Sequence, residues 1–155
     1  MNAVELIEFD AALAATVAGW PTSADEAFQW CGLRDVSTGT VAGWSTAEDV
    51  RAFTLVVDGA PVGYGELWLD DGEVELARLI VAPGHRRRGV GRRLVVALTD
   101  VALGHGGLIF LRVHPDNTAA ISVYRAAGFE PVDAATAAEW NAEQPVAYDW
   151  LTYDK

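Results

Sequence analysis

The sequence is nearly without lysine and holds a single cysteine. Its one lysine is Lys155, at the last position, which removes a phosphate loop of the Gly-x-x-x-x-Gly-Lys kind. Cys31 stands alone, so no intrachain disulfide can form, and no Cys and His group has the spacing of a zinc site. A reducing compartment and a metal-free protein are expected. No stretch approaches the roughly 18 uninterrupted apolar residues of a membrane span. The opening MNAVELIEFD lacks a basic segment followed by a long apolar run. These features predict a soluble, cytoplasmic chain with no membrane partner. Positive charge is scarce too: Lys and Arg number 11 against 22 Asp and Glu, a net charge of -11. Phosphate-backbone affinity needs a basic surface, so nucleic acid is excluded as a general partner.

What is present is the composition of a folded domain. Hydrophobic residues make up 51% of the 155, with six Trp, four Tyr and five Phe to fill a core. One domain over residues 1–155 is expected. The few basic residues are unevenly placed: Arg86, Arg87, Arg88, Arg92 and Arg93 crowd together while acidic residues spread over the remainder. That predicts a local anion site on an acidic body, against the plainer reading of a solvated arginine run.

The chain opens with VELIEF as a short strand, after which Asp10 can cap an alanine-rich helix that ends before Pro21. Ser23 with Glu26 three residues later has the form of a capping box for a second helix to about Trp30. Residues 31–51 read as an irregular connection, with Ser45 a possible cap. Three antiparallel strands follow, AFTLVVDG, APVGYGELWLDDG and EVELARLIVAP, joined by Asp-Gly turns that favour hairpins. Leu94, Val95, Leu98, Val101 and Ala102 recur at helical spacing and stop at Gly104. GLIFLRVHP reads as a buried parallel strand. Asn117 opens a helix that closes at Gly128, FEPV is a strand, residues 133–145 read as a helical turn, and PVAYDWLTY is the last strand. The order is that of a mixed α/β plan.

The chemistry sits in LIVAPGHRRRGVGRRLVVAL, residues 79–98. Gly89 and Gly91 let the backbone turn so that successive N–H groups face one place. The helix start adds its unsatisfied donors and positive dipole end, and such a place binds phosphate oxygens. A Rossmann fingerprint is excluded, because position 94 is Leu and the next strand ends in Val113 and His114 rather than an acid.

Arg-x-x-Gly-x-Gly at Arg86 to Gly91, preceded by LARLIVAP and followed by NTAAISVYRAAGFEPV, resembles the GNAT superfamily of acetyl-CoA-dependent N-acetyltransferases. The resemblance implies an α/β fold of mixed α+β type, with a central, mostly antiparallel sheet of about seven strands flanked by about four helices. It implies acetyl-CoA as cosubstrate. The backbone of Leu79, Ile80 and Val81 would pair with the pantetheine arm, and one of these amides would polarise the thioester carbonyl. Arg86, Arg87, Arg88, Gly89, Val90, Gly91 and Arg92 would form the diphosphate loop, with arginine side chains near the 3'-phosphate, and Asn117 would contact the cofactor. Tyr124 would protonate the departing CoA thiolate, against the plainer reading of a core tyrosine. Glu75 is the first candidate for the base, with Glu73 and Glu66 behind it and a solvated strand carboxylate as the alternative. Ribosomal-protein acetyltransferases of a related branch carry a glutamate where this chain has Arg112, so their substrate is not implied. By the same resemblance Trp20, Trp30 and Trp44 help to form the acceptor cleft, with core packing as the alternative.

Direct transfer, with amine and acetyl-CoA bound together, is the expected mechanism. Cys31 lies outside the matched blocks and has no spaced His and acid. His114 could relay protons, although a lone histidine is more often structural. The acidic surplus would steer a cationic amine, a small molecule or a peptide, and a homodimer through the closing strand is possible. The rival readings are a non-catalytic acyl-CoA sensor and a nucleotide-phosphate site.

Overall fold

The computed structural model describes residues 3–154; Met1, Asn2 and Lys155 lie outside the described residues, and with them parts of the opening segment and of the 1–155 span. One sheet organises the chain, with strands in the order β1-β2-β3-β4-β5-β7-β6. These are β1 Val4–Glu8, β2 Val50–Val57, β3 Ala60–Asp70, β4 Glu73–Val81, β5 Leu108–Val113, β6 Phe129–Pro131 and β7 Asp149–Tyr153. The only parallel pair among them is β4 with β5. Asp58 and Gly59 both take positive φ, 51° and 83°, the backbone that a tight hairpin needs between β2 and β3.

Among the described residues six α-helices pack on this sheet: α1 Ala14–Ala18, α2 Ala24–Cys31, α3 Thr38–Trp44, α4 Val90–Leu103, α5 Thr118–Ala126 and α6 Ala134–Asn141. The family resemblance implied about four. The difference lies in α3 and α6, which occupy the segments read as an irregular connection and a turn. Ser37, not Ser45, caps α3 by accepting from the Thr40 N–H, while Ser45 donates back to the Ala42 carbonyl at the helix end. Gly39, Gly43 and two threonines hide α3 from propensity; burial of Val41 holds it in place. The α2 cap follows expectation, since Ser23 accepts from the Glu26 N–H. The Glu26 carboxylate reaches back to Thr22 rather than to Ser23.

The core has two halves, one on each face of the sheet. On one face α4 sets Leu94, Val95, Leu98 and Ala102 against Leu55, Leu67, Leu76 and Leu111. On the other, Ala14, Val17, Trp20 and Val41 from the short helices cover Tyr64, Ala52 and Ile80. The middle strands are therefore covered on both sides, which is why β3 and β4 lack a clean apolar-polar alternation. Leu98 is fully buried, and its truncation to Ala would cost about 2–5 kcal/mol. Among the described residues no helix is long and apolar enough to cross a membrane.

Two irregularities open the sheet at its centre. The β4–β5 ladder runs from Glu73 opposite Leu108 to Leu76 opposite Leu111 and then stops. Just beyond, β4 carries a bulge: pairing with β3 jumps from Glu66 opposite Ala77 to Tyr64 opposite Ile80. Arg78, at the bulge, takes the left-handed φ of 51°. Gly65 across from it has no room for a side chain, because a Cβ there would lie 2.6 Å from Leu98 Cδ1. Beyond the bulge β4 and β5 part, and the edge of β4 from Leu79 to Val81 is left without a neighbour on that side.

Candidate active site

The exposed edge of β4 presents backbone groups to the fork. The Ala82 N–H donates 2.8 Å to Val62 on β3, so by alternation the Ile80 groups face β3 while those of Leu79 and Val81 turn toward the opening. Of the three residues expected to line a pantetheine arm, Ile80 therefore faces away. The Val81 carbonyl is also occupied, by Arg86 Nε at 3.0 Å. What remains free on this edge is the Val81 N–H with the two backbone groups of Leu79.

Directly after the edge comes the phosphate-type loop. Of the two glycines in the pattern, Gly89 takes a left-handed φ of 77° while Gly91 falls inside α4; the second left-handed turn, φ 62°, is at Arg87. Among the described residues no backbone N–H from Arg86 through Arg92 donates to a protein acceptor; the next N–H along, that of Arg93, donates to the Gly89 carbonyl. Helix α4 starts at Val90 with no side-chain cap. Its dipole end and a row of unpartnered donors thus converge on one place. The side chains of Arg88, Arg92 and Arg93 line an outer groove beside them.

Arg86 behaves differently from its neighbours. Its guanidinium turns inward to Glu26 of α2 at 2.8 Å and the Trp20 carbonyl at 3.4 Å, besides Val81. The side chain ties the loop to the first two helices and is unavailable to a phosphate. Burial works to raise the Glu26 carboxyl, but the bonds from Arg86 and Thr22 outweigh it and hold that carboxyl below its usual range.

Asn117 caps α5, its Oδ1 accepting from the Ala120 N–H at 3.3 Å, which leaves the amide Nδ2 free. Tyr124, seven residues on, sits in the core with its ring 6.4 Å from Phe129. Burial pushes its phenol up to about 12, and no protein group bonds its hydroxyl among the described residues. The side chain is thus both core and, by its unpartnered hydroxyl, available.

A cleft of about 160 Å³ lies at the mouth of the fork, lined by Phe28, Trp30, Trp68, Glu75, Arg78, Arg112, His114 and Tyr148 among others. Glu75 is buried and grips Arg112 with both oxygens, at 2.7 Å to Nε and 2.9 Å to Nη2. Arg112 also donates 2.9 Å to Gln144 and lies 4.8 Å over the Trp150 ring. The bond to Glu75, outweighing burial, raises the guanidinium above its usual value. Glu75 is therefore an ion-paired carboxylate, with one lone pair per oxygen left for another donor.

Glu66 is sealed from solvent and spoken for: Tyr64, Trp68 Nε1 at 2.8 Å and Arg78 Nη1 at 3.0 Å all donate to it. Glu73 lies at the far end of β4, outside the cleft lining. His114 Nδ1 accepts the Asp116 N–H at 3.2 Å, so the neutral ring carries its proton on Nε2. Of the tryptophans, Trp20 is core, while Trp30 lines the cleft and its indole donates 2.8 Å to the Arg78 carbonyl freed by the bulge. Trp44 packs between Trp30 and Arg78. Cys31 does reach the cleft wall, but burial pushes its thiol up, away from the reactive thiolate.

Arg78 and Arg112 went unread in the sequence as site residues. Their signal was there: each is a lone charge inside an apolar strand run, LARLIV and LIFLRV, and such a residue needs a buried partner or a task.

The site thus joins a splayed β4–β5 fork to an amide-rich loop at the start of a helix. The model of the Acetyltransferase (GNAT) family matches residues 8–129, and the chain belongs to that family. The N-alpha-acetyltransferase RimI of Mycobacterium tuberculosis is 43% identical over 60 residues, 39% of this chain and 37% of that one. A mycothiol acetyltransferase of Cellulomonas flavigena is 38% identical over 82 residues, 51% of this chain and 24% of that one. The chain thus matches well under half the length of these relatives. Among solved structures, AAC(6')-Ib in complex with paromomycin and acetyl-CoA superposes with TM-score 0.78 at 19% identity, covering 99% of this chain and 94% of that one. Spermidine N-acetyltransferase from Vibrio cholerae, in complex with CoA and spermine, gives 0.73 at 15%, covering 96% and 92%. These likenesses bear on the fold.

Proposed function

We propose that the chain transfers the acetyl group of acetyl-CoA directly to a primary amine. The observation that carries this reading is the row of unpartnered amides from Arg86 to Arg92 set beside the open edge of β4. A diphosphate fits those donors, and an extended pantetheine arm from it runs along Leu79 and Val81, satisfying groups that the fork leaves bare. The Leu79 or Val81 N–H would polarise the thioester carbonyl. Asn117 Nδ2 is free to contact the same arm.

The amine nitrogen attacks the carbonyl carbon, the C–S bond breaks, and Tyr124 hydrogen-bonds the departing sulfur, which leaves as the thiolate and takes its proton from solvent. Burial keeps that phenol protonated at neutral pH, as the role requires. Glu75, the one carboxylate in the cleft wall, receives the proton that the acceptor nitrogen sheds as its lone pair attacks, and passes it through water to solvent. An acyl-cysteine route is not part of the proposal, because the Cys31 thiol is raised. A cytoplasmic setting is, supported by a chain with one thiol. A sensor that binds acyl-CoA without turnover is the second reading; the unpartnered hydroxyl of Tyr124, which is not sealed from solvent, favours catalysis over it.

Release of CoA thiol with a panel of small amines and peptides tests the proposal. Amine-dependent release supports it; acetyl-CoA binding with no release from any amine would replace it by the sensor.

A further inference from the structure

The acidic body steers cations toward the molecule, yet the cleft has the opposite local balance. Its lining carries two guanidinium groups, Arg78 and Arg112, against one carboxylate, Glu75. Arg112 is largely committed: three of its five N–H groups donate to Glu75 or Gln144, and its Nε–Nη2 edge is taken by Glu75. Arg78 is not. Only its Nη1 is bonded, to Glu66, while Nε and Nη2 have no protein partner and are not sealed from solvent. The guanidinium plane is clamped between Trp44 at 4.2 Å and Trp68 at 4.9 Å from the ring centres. Its backbone holds a left-handed φ that a non-glycine residue adopts at a cost of about 1 kcal/mol or more. Trp30 fixes the same peptide through its carbonyl. A buried carboxylate needs one cation, and Nη1 supplies it; the fixed, vacant Nε–Nη2 edge is left over. Such an edge matches a carboxylate bidentately.

We propose that the acceptor amine also bears a carboxylate, which Arg78 docks through Nε and Nη2 while Glu75 faces the ammonium end. The inference rests on the transferase reading in placing the acceptor in this cleft. At about 160 Å³ the cleft is smaller than the roughly 300–1,000 Å³ of drug-sized sites, so it suits a small amino acid rather than a whole oligosaccharide or polyamine. Arg78 is on this account a specificity-determining contact.

The test uses the twenty common amino acids, each beside its primary amide and its decarboxylated amine, in the CoA-release assay and in titrations of the CoA-bound protein. At least one acid should exceed its own amide and amine by about tenfold or more in kcat/KM, since a site built to hold a polar group rejects the analogue lacking it. Replacing Arg78 alone would strand the Glu66 charge, so the variant is the pair Glu66→Gln with Arg78→Gln. It should lose about tenfold or more on the acid, mainly in KM, while the amide and the KM for acetyl-CoA move less than about twofold. Acids that bind the CoA complex without being acetylated would sink the transferase reading and keep this one. Amides or amines used as well as the acids, or no acid bound or acetylated at all, would overturn it, as would a paired variant that loses acid and amide alike.

Discussion

Tyr124→Phe separates the chemistry from the fold. The substitution removes one oxygen and keeps the ring, so the contacts with Phe129 and the surrounding core persist. The hydroxyl has no protein hydrogen bond to lose, and the melting temperature should stay level or rise slightly. The rate effect follows from proton affinities. The phenol lies at about 12, whereas a thiol sits near 8.5. Full transfer to a free thiolate is uphill, so the gain comes from the hydrogen bond to sulfur as the C–S bond lengthens. That places the loss at the lower end of general-acid effects, about 100-fold in kcat or ~2.7 kcal/mol. The KM for acetyl-CoA should change little. In the parent protein kcat should not fall at pH 10, where an ordinary tyrosine is half ionised. CoA-thiol release with an active amine, alongside thermal denaturation, reads both quantities. A kcat within about threefold of the parent would remove Tyr124 from the mechanism, and a lower melting temperature would show that the hydroxyl had a structural partner.

Other expectations follow from the same geometry. Gly89→Ala forces a Cβ into left-handed backbone at φ 77°; it should cost about 1–2 kcal/mol in urea unfolding and weaken acetyl-CoA by at least about tenfold in calorimetry. Arg112→Ala leaves the Glu75 charge buried without its partner, and because the arginine is partly exposed the expected cost is about 2–4 kcal/mol, read by urea unfolding. Glu26 has a folded pKa below its unfolded one, so its contribution is present above about pH 4.5 and lost as pH falls through the folded value. Glu26→Gln should flatten the stability-pH curve in that acid range and lower it by a constant amount above pH 6.

The order of strands and the long helix α4 were legible because apolar spacing and Asp-Gly turns act locally. The phosphate-type loop was legible for the same reason: left-handed turns demand glycine, and Gly89 takes one. The direction of the Arg86 side chain was not legible, because sequence spacing cannot say whether an arginine in a loop turns out to solvent or in to Glu26, sixty positions earlier. Ile80 was grouped with Leu79 and Val81 because the register that turns it toward β3 depends on the bulge at Arg78. Helix α3 was missed since its stability comes from packing of Val41 rather than from propensity. The Glu75–Arg112 and Glu66–Arg78 pairs join different strands, and each needed the sheet order before it could be seen.

The most direct test of the diphosphate cradle compares two ligands by calorimetry: acetyl-CoA, and S-acetylpantetheine, which keeps the thioester arm and lacks the diphosphate. The amides of Arg86 to Arg92 predict binding of acetyl-CoA at least about 100-fold tighter, ~2.7 kcal/mol. Equal affinity for the two, or no affinity for acetyl-CoA, would contradict the account.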